Sequence, residues 1–279
     1  MTEFLDNDDR LLRHAWHAVL RTDDLTTEAD TLLLGETWTL SRRDKTVTAT
    51  DRTGKPAWGV GERYGLIWLA PAEPVTDLPY YPEYDTDLAY SVIRRRTHAA
   101  AGVLIDNFLD VTHFSYLHQR TFGLVRPVTV ERYDLDLGPW EVRLTHETRL
   151  HESSDPAGLS RVAVYLYRPP YVTHLRMSFP PGEGDDSAST LVCQPESATS
   201  TVAYVIVGWP AHDTPGLRAQ VALSDAVLAE DLAMVEQIED PRLPLAIRAE
   251  LHTRADRAGV EMRRMLTSYL AACAAPALS

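Results

Sequence analysis

The twelve residues from Asn107 to His118 constrain this chain most, because they place two histidines, an acid and an amide in a mostly apolar stretch. Imidazole is the commonest metal ligand in proteins. His113 and His118 are separated by a rotation of roughly 140° on a regular helix, whereas an i,i+4 pair is separated by about 40°. The pair can therefore bind one ion only if the helix ends or distorts between Phe114 and His118. Spacing alone does not exclude the alternative that the two histidines are hydrogen-bonded polar groups on a helix that faces the core.

Composition predicts a cytoplasmic globular protein with one large or two small domains. The 279 residues carry a net charge of −13, which argues against nucleic acid or an anionic membrane surface as the main partner. The acidic start lacks the basic and apolar regions of a signal peptide, and the longest apolar runs are far shorter than a membrane span. Two cysteines without a spacing pattern indicate a reducing compartment and no disulfide framework.

Short alternating or β-branched segments predict an antiparallel sheet in the second half of the chain. They are Val128–Asp134, Trp140–Leu150, Ser160–Tyr167, Thr173–Phe179, Thr190–Gln194 and Thr201–Gly208, and Tyr90–Arg96 is a separate predicted strand. A helix is predicted over Ala99–Leu117, and two more over Leu217–Ile238 and Pro244–Ala272, the last with five exposed arginines. Those arginines are Arg248, Arg254, Arg257, Arg263 and Arg264. Earlier in the chain, Thr31–Leu40 and Thr46–Thr50 are predicted strands.

The string Asn-x2-Asp-x2-His-x4-His that begins at Asn107, followed by Thr-Phe-Gly up to Gly123, resembles the mononuclear iron motif of the Rieske non-haem iron oxygenases. The resemblance is to their catalytic (alpha) subunits, in particular the aromatic O-demethylases of the vanillate demethylase type. Four further segments of the chain are similar to the same family. They are Leu12–Leu25, the hairpin segment Leu33–Leu40, the strand Glu62–Leu69 and the helix Ala229–Gln237.

This resemblance implies an iron site. His113, His118 and Asp231 would be the metal ligands, as a two-histidine, one-carboxylate facial triad that favours Fe(II) and leaves positions open. Asp110 would hydrogen-bond a ligating histidine, and Asn107 would lie beside the site. In the family, the acid matched by Asp110 bridges to the cluster of a neighbouring subunit in a trimer.

The sequence departs from the family where the iron–sulfur cluster should be. A Rieske cluster needs two cysteines and two histidines in Cys-x-His and Cys-x2-His pairs. This chain contains only Cys193 and Cys273, and neither is followed by a histidine at the required position. Where the family has Asp-Arg-Cys-Pro-His-Arg, this chain has Asp51 to Pro56 without cysteine or histidine. The sequence therefore predicts that the cluster-binding loops are deleted and that no iron–sulfur cluster is bound.

The fold implied by the resemblance is α+β. Residues 1–80 would form a vestigial, β-rich Rieske-like domain without cluster ligands. Residues 81–279 would form a helix-grip (SRPBCC/START-like) catalytic domain, in which a curved antiparallel sheet grips a long C-terminal helix. A proline-rich crossing from Pro71 to Tyr84 predicts the boundary. A homo-oligomer, by resemblance a trimer, is expected.

Three functional hypotheses follow. The first is an Fe(II) oxygenase that hydroxylates or oxidatively demethylates a small organic substrate or natural product of secondary metabolism. Its electrons would come from a separate ferredoxin or Rieske-bearing donor that docks near Thr53–Gly61. The second is a redox-silent cyclase or isomerase in the same pocket, and the third is an inactive subunit of an intact oxygenase. Cofactor demand distinguishes the three hypotheses. The oxygenase needs iron, oxygen and a reductant, the cyclase or isomerase turns over anaerobically, and the inactive subunit has no activity alone.

Secondary candidates accompany these hypotheses. Six cations around the deletion could form a basic docking patch, with solvated turn residues as the alternative. They are Arg42, Arg43, Lys45, Arg52, Lys55 and Arg63. His174 is the best further histidine near a pocket. Six aromatic residues would line an apolar cavity in the family fold, although plain core packing explains them equally well. They are Phe108, Phe114, Tyr116, Phe122, Tyr165 and Tyr167.

Overall fold

The computed structural model describes residues 4–122, 132–152 and 155–275. The elements before the first gap are β1 (Phe4–Leu5), β2 (His17–Arg21), β3 (Glu28–Leu33), β4 (Glu36–Arg43), β5 (Thr46–Asp51), β6 (Gly59–Arg63), β7 (Leu66–Ala70), α1 (Glu83–Thr86), β8 (Leu88–Thr97), α2 (Ala101–Leu109), α3 (Phe114–Leu117) and α4 (Gln119–Phe122). Those after it are β9 (Asp134–Gly138), β10 (Glu141–Glu152), β11 (Asp155–Arg168), β12 (Val172–Ser178), β13 (Ser187–Ser197), β14 (Ser200–Pro210), α5 (Thr214–Val235), β15 (Leu243–Pro244) and α6 (Arg257–Ala274).

A seven-stranded antiparallel sheet forms the centre of the molecule, with strand order β8-β14-β13-β12-β11-β10-β9. The helices α2, α5 and α6 pack against this sheet, so their apolar side chains share one core with it. This arrangement confirms the predicted α+β class with an antiparallel sheet and a C-terminal helix. No helix within the described ranges is long and apolar enough to cross a membrane.

The strand β14 is apolar on both faces because both faces of the sheet are covered. Val202 to Val207 are all buried, and alternate side chains belong to different packing clusters. Val205 packs in the cluster that contains the helices, whereas Tyr204 packs in the cluster that contains Tyr64 and Trp68 from the N-terminal part. A continuous apolar run is the expected pattern for a strand that is buried on both sides.

Two three-stranded antiparallel sheets precede this centre, with orders β2-β7-β6 and β3-β4-β5. The predicted strand Thr31–Leu40 is wrong as a single element, because Leu34 and Gly35 form a turn between β3 and β4 with φ of 54° and 75°. The left-handed region favours glycine, so Gly35 suits this hairpin turn. The segment 71–87 then crosses to β8 and contains only the short helix α1.

The chain turns tightly at the position of the expected deletion. Asp51 ends β5, and its Oδ1 accepts hydrogen bonds from the backbone N–H groups of Thr53 at 2.9 Å and Lys55 at 3.0 Å. Gly54 has φ of 84°, and Pro56 pairs back with Thr50 as an isolated bridge. An aspartate that binds backbone N–H groups two residues ahead is typical of a local turn. The segment therefore connects β5 to β6 over a few residues.

The predicted helices differ from the observed ones in their limits. The helix predicted over Leu217–Ile238 begins earlier as α5, because Asp213 caps it by accepting a hydrogen bond from the Gly216 N–H at 3.0 Å. The prediction of a helix over Pro244–Ala272 is wrong in its first half, because α6 begins only at Arg257, after a capped 3₁₀ turn. Most of the predicted strand Val128–Asp134 lies outside the described residues.

Arg263 is buried and not exposed as predicted, with 3% of its side chain accessible. Its guanidinium group pairs with Asp106 through two hydrogen bonds of 2.6 and 2.9 Å, and with Glu250 at 2.7 Å. A buried charge is tolerated when its hydrogen-bonding capacity is satisfied, which this pairing provides. The ion pair attaches α6 to the last turn of α2, the helix that leads to His113.

Candidate metal centre

A break in the helix brings His113 and His118 together. The helix α2 ends at Leu109, and Asp110 has an extended backbone with φ of −77° and ψ of 112°. The carboxylate of Asp110 accepts a hydrogen bond from the Thr112 N–H at 2.7 Å, which competes with continuation of the helix. His113 then caps the start of α3, and His118 leaves the helix with φ of −97° and ψ of 23°. The predicted continuous helix over Ala99–Leu117 is therefore wrong, whereas the predicted distortion before His118 is confirmed.

The two imidazole rings converge through their Nε2 atoms, which are 3.2 Å apart. The helix α5 supplies Asp231, whose Oδ1 lies 3.1 Å from Nε2 of His118 and 3.5 Å from Nε2 of His113. One donor atom from each of these residues lies within 4.8 Å of the others. The structure thus brings together the three residues that the sequence predicted as metal ligands.

Each imidazole has a carboxylate at its second nitrogen. The Nδ1 atom of His113 lies 3.4 Å from Oδ2 of Asp110, the predicted partner, but forms no hydrogen bond with any residue that the structure describes. The Nδ1 atom of His118 lies 2.7 Å from Oε2 of Glu230, whose other oxygen accepts a hydrogen bond from the Thr121 hydroxyl. Such outer carboxylates fix the tautomer and orientation of a ligating histidine. Both Nε2 atoms are thereby left to face the shared centre.

Sequence reasoning assigned no role to Glu230. The residue lies directly before Asp231, and neighbouring positions on a helix point about 100° apart. Nothing in a single sequence shows that two adjacent acids on α5 reach opposite nitrogens of one imidazole. The available signal was the pair of adjacent acids itself, combined with the rule that a ligating histidine has a carboxylate partner.

The electrostatic environment favours a charged Asp231. Burial alone would raise the pKa of its carboxyl group, but the neighbouring His113, His118 and Asn107 side chains outweigh burial and lower the pKa to about 2. Burial would likewise lower the pKa of His113, but the carboxylates of Asp110 and Asp231 raise it to about 9. Because a metal ion requires the neutral imidazole, metal binding must displace a proton from His113 at neutral pH. Asn107 therefore lies beside the site, as predicted.

The donor set fits a divalent metal ion. Oδ1 of Asp231 is buried and accepts no hydrogen bond from any residue that the structure describes, although both Nε2 atoms lie close to it. A buried carboxylate oxygen is normally paired, so an unpaired one between two imidazoles indicates a place for a cation. Two imidazoles and one carboxylate with open positions suit Fe(II). His118 is fully buried, and Asp231 is 17% exposed.

Aromatic rings cover part of this site. Phe114 packs edge-on against His113 with ring centroids 4.6 Å apart, and Phe122 packs against His118 at 5.2 Å. Phe108 contacts Tyr165 at 6.1 Å. Tyr116 is 69% exposed, so the expectation that it lines a cavity is wrong. Gly123, the last residue of the motif, lies outside the described residues.

His174 lies away from the metal centre. It shares a face of the central sheet with Val172, in the cluster on the N-terminal side. Its Nε2 lies 2.6 Å from Oε1 of Glu83, its Nδ1 lies 2.8 Å from Oγ1 of Thr190, and its ring stacks on Tyr81 at 4.0 Å. Both ring nitrogens are used in this network, so the expectation of a role near the pocket is wrong.

An open cavity of about 250 Å³ borders the outer side of Asp110. Asp106, Glu250 and Arg263 also line it, so one wall is the buried ion pair that connects α2 to α6. Asp110 is 33% exposed, compared with 12% for the His113 that it contacts. Asp110 therefore connects the buried triad with solvent.

Comparison with known proteins shows the family of the chain. The vanillate O-demethylase oxygenase C-terminal domain family matches residues 97–272, which is more than half of the chain. The chain is 24% identical over 210 residues to a probable methylxanthine N7-demethylase, NdmC, of Pseudomonas sp. (strain TJI-51), covering 73% of this chain and 74% of the relative. It is 24% identical over 257 residues to a vanillate O-demethylase oxygenase subunit of Pseudomonas sp. (strain HR199 / DSM 7063), covering 77% and 69%.

Solved structures share the fold. NdmA of Pseudomonas putida CBB5, solved with caffeine, has a TM-score of 0.78 at 18% identity and is matched over 94% of this chain and 92% of its own. Dicamba monooxygenase bound to dicamba has a TM-score of 0.75 at 15% identity, over 95% and 99% of the two chains. The matched domain, both relatives and the shared fold agree, and the chain belongs to the Rieske oxygenase catalytic-subunit family with the vanillate O-demethylase type of C-terminal domain.

Proposed function

We propose that this chain binds one Fe(II) ion through His113, His118 and Asp231 and oxidises a small organic substrate by hydroxylation or demethylation. The observation that carries the proposal is the convergence of both Nε2 atoms on the unpaired Oδ1 of Asp231. Iron bound there supplies the redox chemistry by which dioxygen is activated. Membership of an oxygenase family supports an oxidoreductase, and the relatives named as demethylases support the removal of a methyl group.

The protein side chains have separate tasks in this proposal. Glu230 holds the imidazole of His118 through Nδ1, and Asp110, 3.4 Å from Nδ1 of His113, would hold the second imidazole in the same way when the ion is bound. Asn107 stabilises the charged form of Asp231. Phe114 and Phe122 exclude water from the histidine rings by packing against them. The proton on Nε2 of His113 would leave when metal binds, because the ion requires the lone pair of that nitrogen.

We further propose that residues 1–80 are a remnant of a cluster-bearing β domain and that residues 81–279 form the catalytic domain. The two small sheets and the crossing at 71–87 support this division. The short turn between β5 and β6 replaces the expected cluster loops, and only two cysteines are present in the chain. Electrons would then come from a separate ferredoxin or Rieske-bearing protein.

The predicted basic patch for this donor is not one surface. Arg42 pairs with Glu62 through two hydrogen bonds, and Arg63 donates to the backbone carbonyls of Leu78 and Pro79. The remaining four cations divide between the two ends of the strand β5, which are roughly 20 Å apart at about 3.4 Å per residue. Arg43 and Lys45 are at one end, and Arg52 and Lys55 are at the other. We assign the donor to the end with Arg52 and Lys55, which contains the shortened turn.

Iron content tests the metal site. Protein loaded with Fe(II) without oxygen should bind one iron per chain, whereas His113→Ala and His118→Ala should each lose stoichiometric iron. His98→Ala is the matched control, because this histidine is exposed and contacts the Thr199 carbonyl. Circular dichroism should show that every variant is folded. A His113→Ala, His118→Ala double variant with full iron content would refute the assignment.

Oxygen dependence separates the oxidative from the redox-neutral reading. Vanillate, 7-methylxanthine and dicamba are reasonable probes, since relatives are named for these compounds or their class. With a reduced ferredoxin and dioxygen, demethylation should release formaldehyde from one of them. A redox-silent cyclase or isomerase on the same pocket would convert its substrate equally fast without oxygen or reductant. An inactive subunit would do neither until an intact family member is added.

A further inference from the structure

Arg263 occupies a position of α6 at which packing alone would favour an apolar residue. The helix buries one face against the rest of the molecule, and the other buried residues of that face are small or largely apolar. They are Ala258, Gly259, Met262, Leu266, Tyr269, Leu270 and Cys273. Arginine is seldom fully buried, and a buried ion pair is weak evidence for stability because the cost of removing both charges from water can exceed their attraction. The burial of Arg263 therefore needs an explanation other than packing.

The guanidinium group of Arg263 uses all of its N–H groups within the described part of the chain. Nη1 donates to Oδ1 of Asp106 at 2.6 Å and to the Gly259 carbonyl at 3.2 Å. Nη2 donates to Oδ2 of Asp106 at 2.9 Å and to Oε2 of Glu250 at 2.7 Å, and Nε donates to the Pro244 carbonyl at 3.0 Å. A planar guanidinium group that binds both oxygens of a carboxylate fixes their distance and angle, which the single nitrogen of a lysine cannot do.

The carboxylate that Arg263 binds lies on the turn of α2 that faces the metal centre. Asp106 precedes Asn107, and successive residues of a helix point about 100° apart. Asn107 stabilises the charged carboxylate of Asp231. The N–H of Asp110 donates to the carbonyls of Asp106 at 3.1 Å and Asn107 at 3.2 Å, so the same turn also positions Asp110 beside a ligating imidazole. The turn held by the guanidinium group therefore carries both outer residues that α2 supplies to the metal ligands.

Gly259 allows α6 to approach this turn closely. A Cβ atom at position 259 would lie 2.5 Å from Oδ1 of Asp106, which is closer than Cβ atoms come to other groups. Glycine within a helix is normally less favourable than alanine. The glycine here leaves the carboxylate of Asp106 the space that it needs to reach Arg263.

We propose that Arg263 is a positioning residue for the metal centre, which fixes the last turn of α2 so that Asn107 and Asp110 are aligned with the metal ligands. Its contribution is to geometry more than to stability, because two apolar side chains at positions 106 and 263 could pack but would fix neither distance nor angle. A ligand set binds its metal tightly only when the residues behind it hold it in place. This inference rests on the proposed function, since it needs a metal ion at the site.

Fe(II) affinity, measured without oxygen by competition with a chromophoric chelator, tests the proposal. Arg263→Lys should weaken the affinity about tenfold, the lower end of the range for residues behind metal ligands, because lysine keeps the charge but cannot bind both carboxylate oxygens. Gly259→Ala should weaken it by a similar factor, although alanine favours the helix, because the added methyl group displaces Asp106. Co(II) gives a second measurement, since its visible absorption reports coordination geometry and should change in both variants.

An apolar replacement separates positioning from stability. The double variant Asp106→Leu, Arg263→Met should keep the melting temperature of the metal-free protein close to that of wild type and still weaken Fe(II) affinity. Arg264→Gln is the matched control, because this neighbouring side chain of α6 is exposed and pairs with Glu261 on the same helix. It should leave the melting temperature, the Fe(II) affinity and the Co(II) spectrum unchanged.

The possible outcomes distinguish this inference from the proposed function. Wild-type Fe(II) affinity in Arg263→Lys, Gly259→Ala and the double variant would overturn the inference and leave the proposed function standing. Weaker binding that follows a lowered melting temperature, with an unchanged Co(II) spectrum, would show that Arg263 is only structural and would also overturn it. A wild-type protein that binds no Fe(II) would overturn the proposed function together with the inference.

Discussion

Glu230 contacts the second ring nitrogen of His118 at the candidate metal centre. Oε2 of Glu230 lies 2.7 Å from Nδ1 of His118, and the next residue, Asp231, approaches Nε2 of the same ring at 3.1 Å. Two successive residues of α5 therefore hold opposite edges of one buried imidazole. Because the outer carboxylate fixes the tautomer, Nε2 of His118 is available to a metal ion only while Glu230 holds the proton at Nδ1.

Glu230→Gln should weaken Fe(II) affinity about 10- to 100-fold, since an amide is a poorer acceptor than a carboxylate and no longer increases the basicity of the ring. Competition with a chromophoric chelator under anaerobic conditions measures the affinity. Asp225→Asn on the same helix is the control, because its partner Arg95 lies outside the site. Equal affinity in wild type and Glu230→Gln would show that the contact is only structural.

Asp110→Asn should also weaken Fe(II) affinity about 10- to 100-fold through His113, while the asparagine oxygen can still accept the Thr112 N–H. Because the two histidines lie 3.2 Å apart and share Asp231, the losses in the double variant should differ from the sum of the single losses. The same chelator competition measures both. Unchanged affinity combined with lost donor-dependent turnover would instead indicate that Asp110 conducts electrons from a cluster-bearing partner.

The purified protein should contain no acid-labile sulfide and no visible iron–sulfur absorption. Thr53 and Lys55 stand where a cysteine and a histidine are required, and Cys193 and Cys273 are buried on separate elements, β13 and α6. Sulfide analysis and an absorption spectrum after anaerobic purification check this expectation. Stoichiometric sulfide would mean that the comparison with the family across residues 51–62 is incorrect.

Docking of the electron donor should depend on the end of β5 that carries Arg52 and Lys55 more than on the other end. Arg52→Glu and Lys55→Glu should slow reduction of the ferric site by a reduced acidic ferredoxin several-fold, because opposite charge accelerates encounter between proteins. Stopped-flow spectroscopy at low and high salt measures the rate without any substrate. Arg43→Glu and Lys45→Glu at the other end should have little effect. If both pairs of substitutions slow the reduction equally, the donor does not dock preferentially at the end with Arg52 and Lys55.

His17 should make the stability of the protein fall on acidification. Complete burial lowers the pKa of its imidazole to about 4, although the hydrogen bond that Nε2–H donates to the Leu12 carbonyl raises it. The unfolded chain then binds more protons between about pH 6.5 and pH 4, so the contribution is fully present above pH 6.5 and is lost below it. The free energy of unfolding should fall by about 3 kcal/mol over this range.

Urea unfolding of wild type and His17→Gln between pH 7.5 and pH 4 measures this contribution. The glutamine can still donate a hydrogen bond to Leu12 but does not titrate, so the difference in unfolding free energy between the two proteins should shrink as the pH falls. Carboxylates titrate in both proteins and cancel in the comparison. Parallel stability curves would show that His17 does not control the acid sensitivity.

The sequence by itself determined the candidate ligands and much of the fold. The spacing of His113 and His118 required a break in the helix, and the break is present before and after α3. Alternation or β-branched composition predicted most strands of the central sheet, because both are visible within a few residues. The resemblance to the Rieske family predicted the third ligand, Asp231, and the structure brings it to the two histidines.

Only the tertiary structure decided which groups meet across long separations. Glu230 is 112 residues from His118, and its pairing depends on how α5 packs against α2 and the sheet. His174 faces the N-terminal sheets because strand register sets its side, and Arg263 is buried because α6 packs on the last turn of α2. A local pattern shows which face of an element is apolar, but not what covers that face, since packing partners are chosen by the whole chain.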